Sequence, residues 1–150
     1  GYKFAQESIK DIFDSLFPLL TEHFAEVSGN LDIPLNPDKD LYIAMEEVGR
    51  FVIYVCRSES TSEIVGYAAY FVNFNMHYQQ SKQAVQDVVF INKKHRGFGE
   101  SFINWCDDQL RELGVQVVYH HVKVAHDWSH MLERSGYKFA EKIMSKRLDN

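Results

Sequence analysis

The chain has 150 residues, of which 45% are apolar and 25% charged, a length and balance that suit one soluble domain able to bury roughly two-thirds of its unfolded surface. Sixteen Lys+Arg against twenty-one Asp+Glu leave a net charge of −5, which argues against a protein built to grip a nucleic-acid backbone. No apolar run approaches the ~18–20 residues of a membrane span, there is no signal-peptide pattern, and two cysteines, Cys56 and Cys106, do not make a disulfide framework. The expectation is a single-domain cytoplasmic protein.

From Gln6 to Val27, Ile9, Ile12, Phe13, Leu16, Phe17, Leu20 and Phe24 recur at helical spacing. Pro18 should kink or split this helix, since it brings no amide proton to its turn. A polar stretch follows, and Asn36-Pro37 reads as an N-cap with proline at the first helical position, opening a helix to about Val48 that Gly49 stops. Phe51–Cys56 and Ile64–Val72 are β-rich runs separated by the polar turn Arg57 to Ser62, which predicts an antiparallel hairpin. The polar segment Asn73 to Lys82 leads to a third strand, Ala84 to Ile91. A turn, Asn92 to Gly97, then opens a helix from about Phe98 to Leu113 with the inner stripe Phe102, Ile103, Cys106, Leu110 and Leu113, ended by Gly114. Val115 to Val124 reads as a strand, Asp127 to Ser135 as a short helix, and Tyr137 to Leu148 as one or two closing strands. The predicted order is α-α-β-β-β-α-β-α-β, an α/β (α+β) domain spanning residues 1–150. Residues 84–124 should form a right-handed parallel crossover.

The segment with chemical content is Asn92-Lys93-Lys94-His95-Arg96-Gly97-Phe98-Gly99-Glu100-Ser101. A helix start leaves about four amide protons unpaired and carries roughly half a positive charge, so it offers an anion site. Glycines at 97 and 99 allow a phosphate to approach the backbone. The plain alternative is a strand-to-helix turn with solvated lysines. A dinucleotide fingerprint is poorly matched, because Phe102 stands where its third glycine belongs, and no G-x-x-x-x-G-K-[ST] loop is present.

Arg96-Gly97-Phe98-Gly99-Glu100-Ser101 resembles the R/Q-x-x-G-x-G/A pyrophosphate loop of the GNAT (GCN5-related) N-acetyltransferases, with Ser101 where that family usually has glycine or alanine. The strand Val89-Phe90-Ile91 before it, the helix after it, and Leu132-Glu133-Arg134-Ser135-Gly136-Tyr137 near the C-terminus add to the resemblance, which is to small phage and bacterial acetyltransferase-like proteins. It implies a GNAT-like fold with a central mixed, mostly antiparallel sheet, helices on both faces, and a fourth and fifth strand that splay apart. It also implies acetyl-CoA as cofactor, with the pantetheine arm along Val89 and Ile91 and the pyrophosphate on the amides of Arg96, Gly97, Phe98, Gly99, Glu100 and Ser101. The general acid that many such enzymes carry as a tyrosine on the late helix is replaced by Leu132.

Acyl transfer to an amine needs a base and a proton donor for the leaving thiolate. Asp87 is the first candidate base: it lies mid-strand, where an unpaired carboxylate is costly, and strand parity should project it on one face with Val89 and Ile91. A strand acid paired with a nearby lysine or histidine is the alternative. Of His120 and His121, adjacent on a strand, at most one can face the acceptor cleft; both could instead be hydrogen-bonded sheet residues. Tyr119 could supply the missing acid or serve as packing. Asp127 suits an N-cap, with His126 beside the cofactor or acceptor, and His77-Tyr78 sits in a polar connection. Seven histidines show no zinc spacing, so no metal is expected, and Cys106 falls on a buried stripe unsuited to a nucleophile.

The resemblance implies direct acetyl transfer to a primary amine of a small molecule or protein. Asp32, Asp38, Asp40, Glu46 and Glu47 lie in the regions that contact the acceptor in that family and would favour a cationic one. The alternative from another class is a catalytically silent acyl-CoA-binding or protein-interaction module, motivated by Leu132 and Ser101. Exposed strand edges make homodimers common in such folds, and a homodimer remains open.

Overall fold

The computed structural model describes residues 1–27 and 33–149; the side chains of 25–27, 93 and 96 lie outside that description. Five strands form one sheet in the order β1-β2-β3-β4-β5: β1 (Tyr2–Gln6), β2 (Phe51–Ser58), β3 (Ile64–Asn75), β4 (Tyr78–Ile91) and β5 (Val117–Tyr119). The first four are antiparallel neighbours, and β5 joins β4 in parallel. Four helices cover the sheet: α1 (Ile9–Val27), α2 (Lys39–Glu47), α3 (Gly99–Glu112) and α4 (Ser129–Arg134). The mixed, mostly antiparallel sheet with helices on both faces is the architecture expected. β4, α3 and β5 form the parallel crossover of the 84–124 segment.

Two cores follow from the period-two alternation of β2 and β3. Val52, Tyr54 and Cys56 point to one face with Ala68 and Tyr70, where α3 lays down its stripe of Phe102, Cys106 and Leu110. Phe51, Ile53 and Val55 point to the other with Tyr67 and Ala69, under Ile9, Ile12 and Leu16 of α1 and the half-buried Tyr42, Ile43 and Met45 of α2. Both faces of the central strands are thus dry, which explains their near-continuous apolar reading.

Several boundaries differ from those expected, each for a local reason. The chain opens with β1 rather than inside a helix: Tyr2 to Gln6 pairs with Ser58 to Tyr54, some fifty residues away and beyond reach of a local pattern. Helix α1 therefore starts at Ile9, and it runs unbroken through Pro18, which is exposed. The N-cap of α2 is Asp38, whose Oδ1 accepts the Leu41 amide at 3.1 Å, not Asn36. Gly49 does end that segment, with φ +75°. The connection drawn from Asn73 to Lys82 is mostly strand; only Met76 and His77 separate β3 from β4.

A short 3-10 stretch, Lys93–Phe98, precedes α3. The fifth strand is three residues long, and Val124, assigned to it from its β-branched neighbourhood, is 99% exposed. No strand forms among described residues 137–149, and Phe139, Ile143, Met144 and Leu148 stand exposed there. The observed order is β-α-α-β-β-β-α-β-α.

Candidate functional site

β4 has fourteen residues and β5 three, and that mismatch creates the site. The two strands are in register only at Gln83–Val117, Ala84–Val118 and Val85–Tyr119. Beyond Val85 the strands part, and over residues 86–90 no described strand lies beside that edge of β4. The gap is a cleft of about 220 Å³, walled by Asp87 and Val89 on one side, His121 and Trp128 on the other, and Gly99 and Met131 at its end. A strand edge without a neighbour presents backbone donors and acceptors to whatever extended chain enters.

At the end of the cleft the chain turns from β4 into α3. Asn92 shapes this turn: its amide bonds the Val65 carbonyl (2.8 Å), its carbonyl accepts the His95 amide (2.9 Å) and its Oδ1 accepts the Lys94 amide (3.0 Å). Phe98 is anchored in the core between Tyr2 and Phe102, so its backbone, not its ring, is what the loop offers. No side chain caps the N-terminus of α3. Gly99 sits so close to its surroundings that a Cβ would meet Ile91 Cδ1 at 3.0 Å and Met131 Sδ at 3.2 Å, whereas Gly97 has open space around it. Ser101 is exposed, and the Glu100 carboxylate accepts Arg134 Nε at 3.3 Å, tying the first turn of α3 to α4. The Arg96 side chain lies outside the described residues. A helix start with no side-chain cap among the described residues, a closely packed glycine and a strand edge with no described neighbour suit the pyrophosphate and pantetheine of a coenzyme A thioester.

Asp87 is where the structure departs from simple parity. Ala69 pairs with Val88 and Tyr70 with Gln86, so Asp87 is the extra residue of a β-bulge. The bulge places Asp87 and Val88 on the α1/α2 face, while Val89 and Ile91 pack toward α3. Asp87 therefore does not share a face with Val89 and Ile91. Its carboxylate accepts the Tyr42 hydroxyl on Oδ2 at 2.7 Å, leaving Oδ1 without a partner among the described residues. Burial pushes the Asp87 carboxyl above the usual carboxylate range, and the Tyr42 bond pulls it partly back. A carboxylate so placed is a stronger base than one in water.

The two histidines diverge as their adjacency requires. His121 lines the cleft; His120 turns the other way, bonding Gln86 Oε1 through Nδ1 (2.8 Å) and packing edge-on against Tyr70, Trp128 and Tyr137. Its Nε2 is buried and unbonded, and burial together with the neighbouring His121 pushes its pKa down to about 3. His120 is thus a neutral packing residue. His126 also lines the cleft, and Asp127 Oδ1 accepts the Ser129 amide at 2.9 Å, holding the start of α4. Leu132 is buried in the helix position where an acid was sought.

Of the acids expected to attract a cationic acceptor, Glu46 and Asp38 are engaged within the chain. Glu46 accepts the Ser8 hydroxyl and the Ile9 amide (2.8 and 2.9 Å), fixing α1 to α2, and Asp38 caps α2. Asp40 and Glu47 are exposed, and Asp32 lies outside the described residues.

No protein-family model matches the chain, and no curated protein matches it in sequence. Solved structures do share its fold. Glucosamine-6-phosphate N-acetyltransferase from Arabidopsis thaliana superposes with a TM-score of 0.70 at 18% identity, covering 99% of both chains. An aminoglycoside acetyltransferase from an uncultured soil metagenomic sample, in complex with sisomicin, gives 0.73 at 18% identity, covering 99% of this chain and 95% of its own. A predicted acetyltransferase from Clostridium acetobutylicum, in a structure with acetyl-CoA, gives 0.72 at 10% identity over 99% and 97%. The fold is that of the GNAT acyltransferases, end to end.

Proposed function

We propose that this protein is an acetyl-CoA-dependent N-acetyltransferase that moves the acetyl group directly to a primary amine. The observation that carries the reading is the parting of β4 and β5 around a cleft that has a glycine cradle at one end and the half-buried, bulged Asp87 in its wall. Acetyl-CoA, when bound, supplies the activated thioester carbonyl. The edge of β4 around Val89 and Ile91 aligns its pantetheine arm, and the amides from Arg96 to Ser101 hold the pyrophosphate at the start of α3.

Asp87 is the base. A primary amine is protonated at neutral pH, its pKa being near that of lysine at ~10.4, and it attacks only once neutral. The Asp87 carboxylate, fixed by the Tyr42 hydroxyl and raised in basicity by burial, receives the amine proton. His121, on the opposite wall, is the residue set to return a proton to the departing sulfur, a role that Leu132 cannot fill. Gln86 and Trp128 hold His120 out of the chemistry.

Asp87→Asn removes the acceptor of that proton and keeps the shape. Turnover, followed as free thiol released from acetyl-CoA on addition of amine, should fall at least about tenfold while cofactor affinity stays near that of the parent. Unchanged turnover would remove Asp87 from the mechanism. The second reading, a binding module without turnover, rests on the buried Leu132; such a protein would bind acetyl-CoA and release no thiol with any amine.

A further inference from the structure

A second cavity bears on what the amine carries. Between α1 and the sheet runs a groove of about 50 Å³ lined by Phe13, Leu16, Phe17 and Leu20 of α1, by Pro37 and Tyr42, and by the sheet residues beneath them. Asp87 and Val88 line both this groove and the coenzyme cleft, so the two cavities meet at the carboxylate. Asp87 is the single charged side chain among the described residues lining the groove. At its inner wall the Tyr67 side chain is 1% exposed, and its hydroxyl finds no hydrogen-bond partner among the described residues, although it lies close enough to Asp87 to sense its charge. An unpaired buried hydroxyl is costly, and the cost disappears if a bound group supplies the missing partner.

Building on the acetyltransferase reading, we propose that this groove is the acceptor subsite and that the substrate class is a monoamine bearing a short aliphatic group. The amine nitrogen sits between Asp87 and the Tyr67 hydroxyl, and the aliphatic group lies along Phe13, Leu16 and Leu20. One carboxylate suits one amine. A polycationic acceptor would find no further carboxylate among the described lining residues, whose polar groups besides Asp87 are the Tyr42 and Tyr67 hydroxyls. Phe17, 41% exposed, marks the mouth. Tyr67 is then a catalytic-site contact with the substrate nitrogen, and the remaining groove residues set specificity.

The test compares two primary amines of equal heavy-atom count, 3-methylbutylamine and 3-aminopropane-1,2-diol, in the thiol-release assay with the intact protein at saturating acetyl-CoA. The expected kcat/KM is at least about tenfold higher for the aliphatic amine, since apolar burial discriminates at that scale. Phe17→Asp, at an exposed position, should reduce that preference to less than about threefold while leaving acetyl-CoA affinity unchanged. Tyr67→Phe should lower kcat/KM for 3-methylbutylamine about tenfold with thermal stability equal to or above that of the parent, whereas a merely structural tyrosine would leave the kinetics alone. Equal rates for the two amines, preference for the diol, or bound acetyl-CoA with no turnover of either amine would overturn the subsite. Failure to bind acetyl-CoA at all would instead overturn the acetyltransferase reading on which it rests.

Discussion

At the scale of single residues, Asp87 and His120 show how position in one sheet sets opposite proton chemistry. Both are partly buried, but burial raises a carboxyl pKa and lowers that of an imidazole. The Tyr42 bond stabilises the ionised form of Asp87, so its loss in Tyr42→Phe lets the Asp87 pKa climb further. Because the proposed base acts as the carboxylate, the acid limb of the kcat/KM profile should move to higher pH in that variant; a limb that stays in place, or moves to lower pH, would show that Asp87 is not the titrating base. His120 has a folded pKa of about 3 against about 6.5 in the unfolded chain, so its contribution is complete above pH 6.5 and is lost as pH falls below it. Stability should fall by up to roughly 1 kcal/mol per pH unit on that account, and His120→Gln should flatten the dependence of Tm on pH between 6.5 and 4.5. An equally steep dependence in the variant would place the protonation elsewhere. Asp87 was legible as a candidate because a mid-strand carboxylate is conspicuous. Its facing was not, since one extra residue reverses strand parity, and Tyr42 and Tyr67 reach it only through tertiary packing.

Among the elements, the turn into α3 and the unequal lengths of β4 and β5 decide what the cleft can hold. Gly99 is a tight position in this turn, where a Cβ would press on Ile91 Cδ1 and Met131 Sδ. Gly99→Glu should abolish acetyl-CoA binding in a calorimetric titration, because the side chain fills the cradle and brings a negative charge to the place kept for phosphate. The far-UV circular dichroism should be unchanged, and retained affinity in a folded variant would contradict the cradle. The hairpin, the central strands and α3 were readable from periodicity, since each carries its own amphipathic or apolar signal. β1 was not: five residues gain strand geometry only by pairing with β2 across fifty positions of sequence. The β-branched run from Val115 overstates β5, because side-chain preference persists where the neighbouring strand has already turned away. Pro18 leaves α1 unbroken from an exposed position.

Over the whole molecule, one sheet separates two cores and supplies an opening on each. The α3 face and the parted strands form the cleft proposed for the coenzyme, the α1/α2 face forms the apolar groove, and the bulge at Asp87 joins them. A thioester arriving from one side and an amine from the other would meet at the same carboxylate, which is the arrangement that direct transfer requires. Among the described residues no helix is long and apolar enough to cross a membrane. The most direct test of this account is a calorimetric titration of acetyl-CoA into the protein, followed by measurement of free thiol when a primary amine is added to the complex. The account predicts micromolar binding, then thiol release that depends on the amine. No binding at millimolar acetyl-CoA would contradict it.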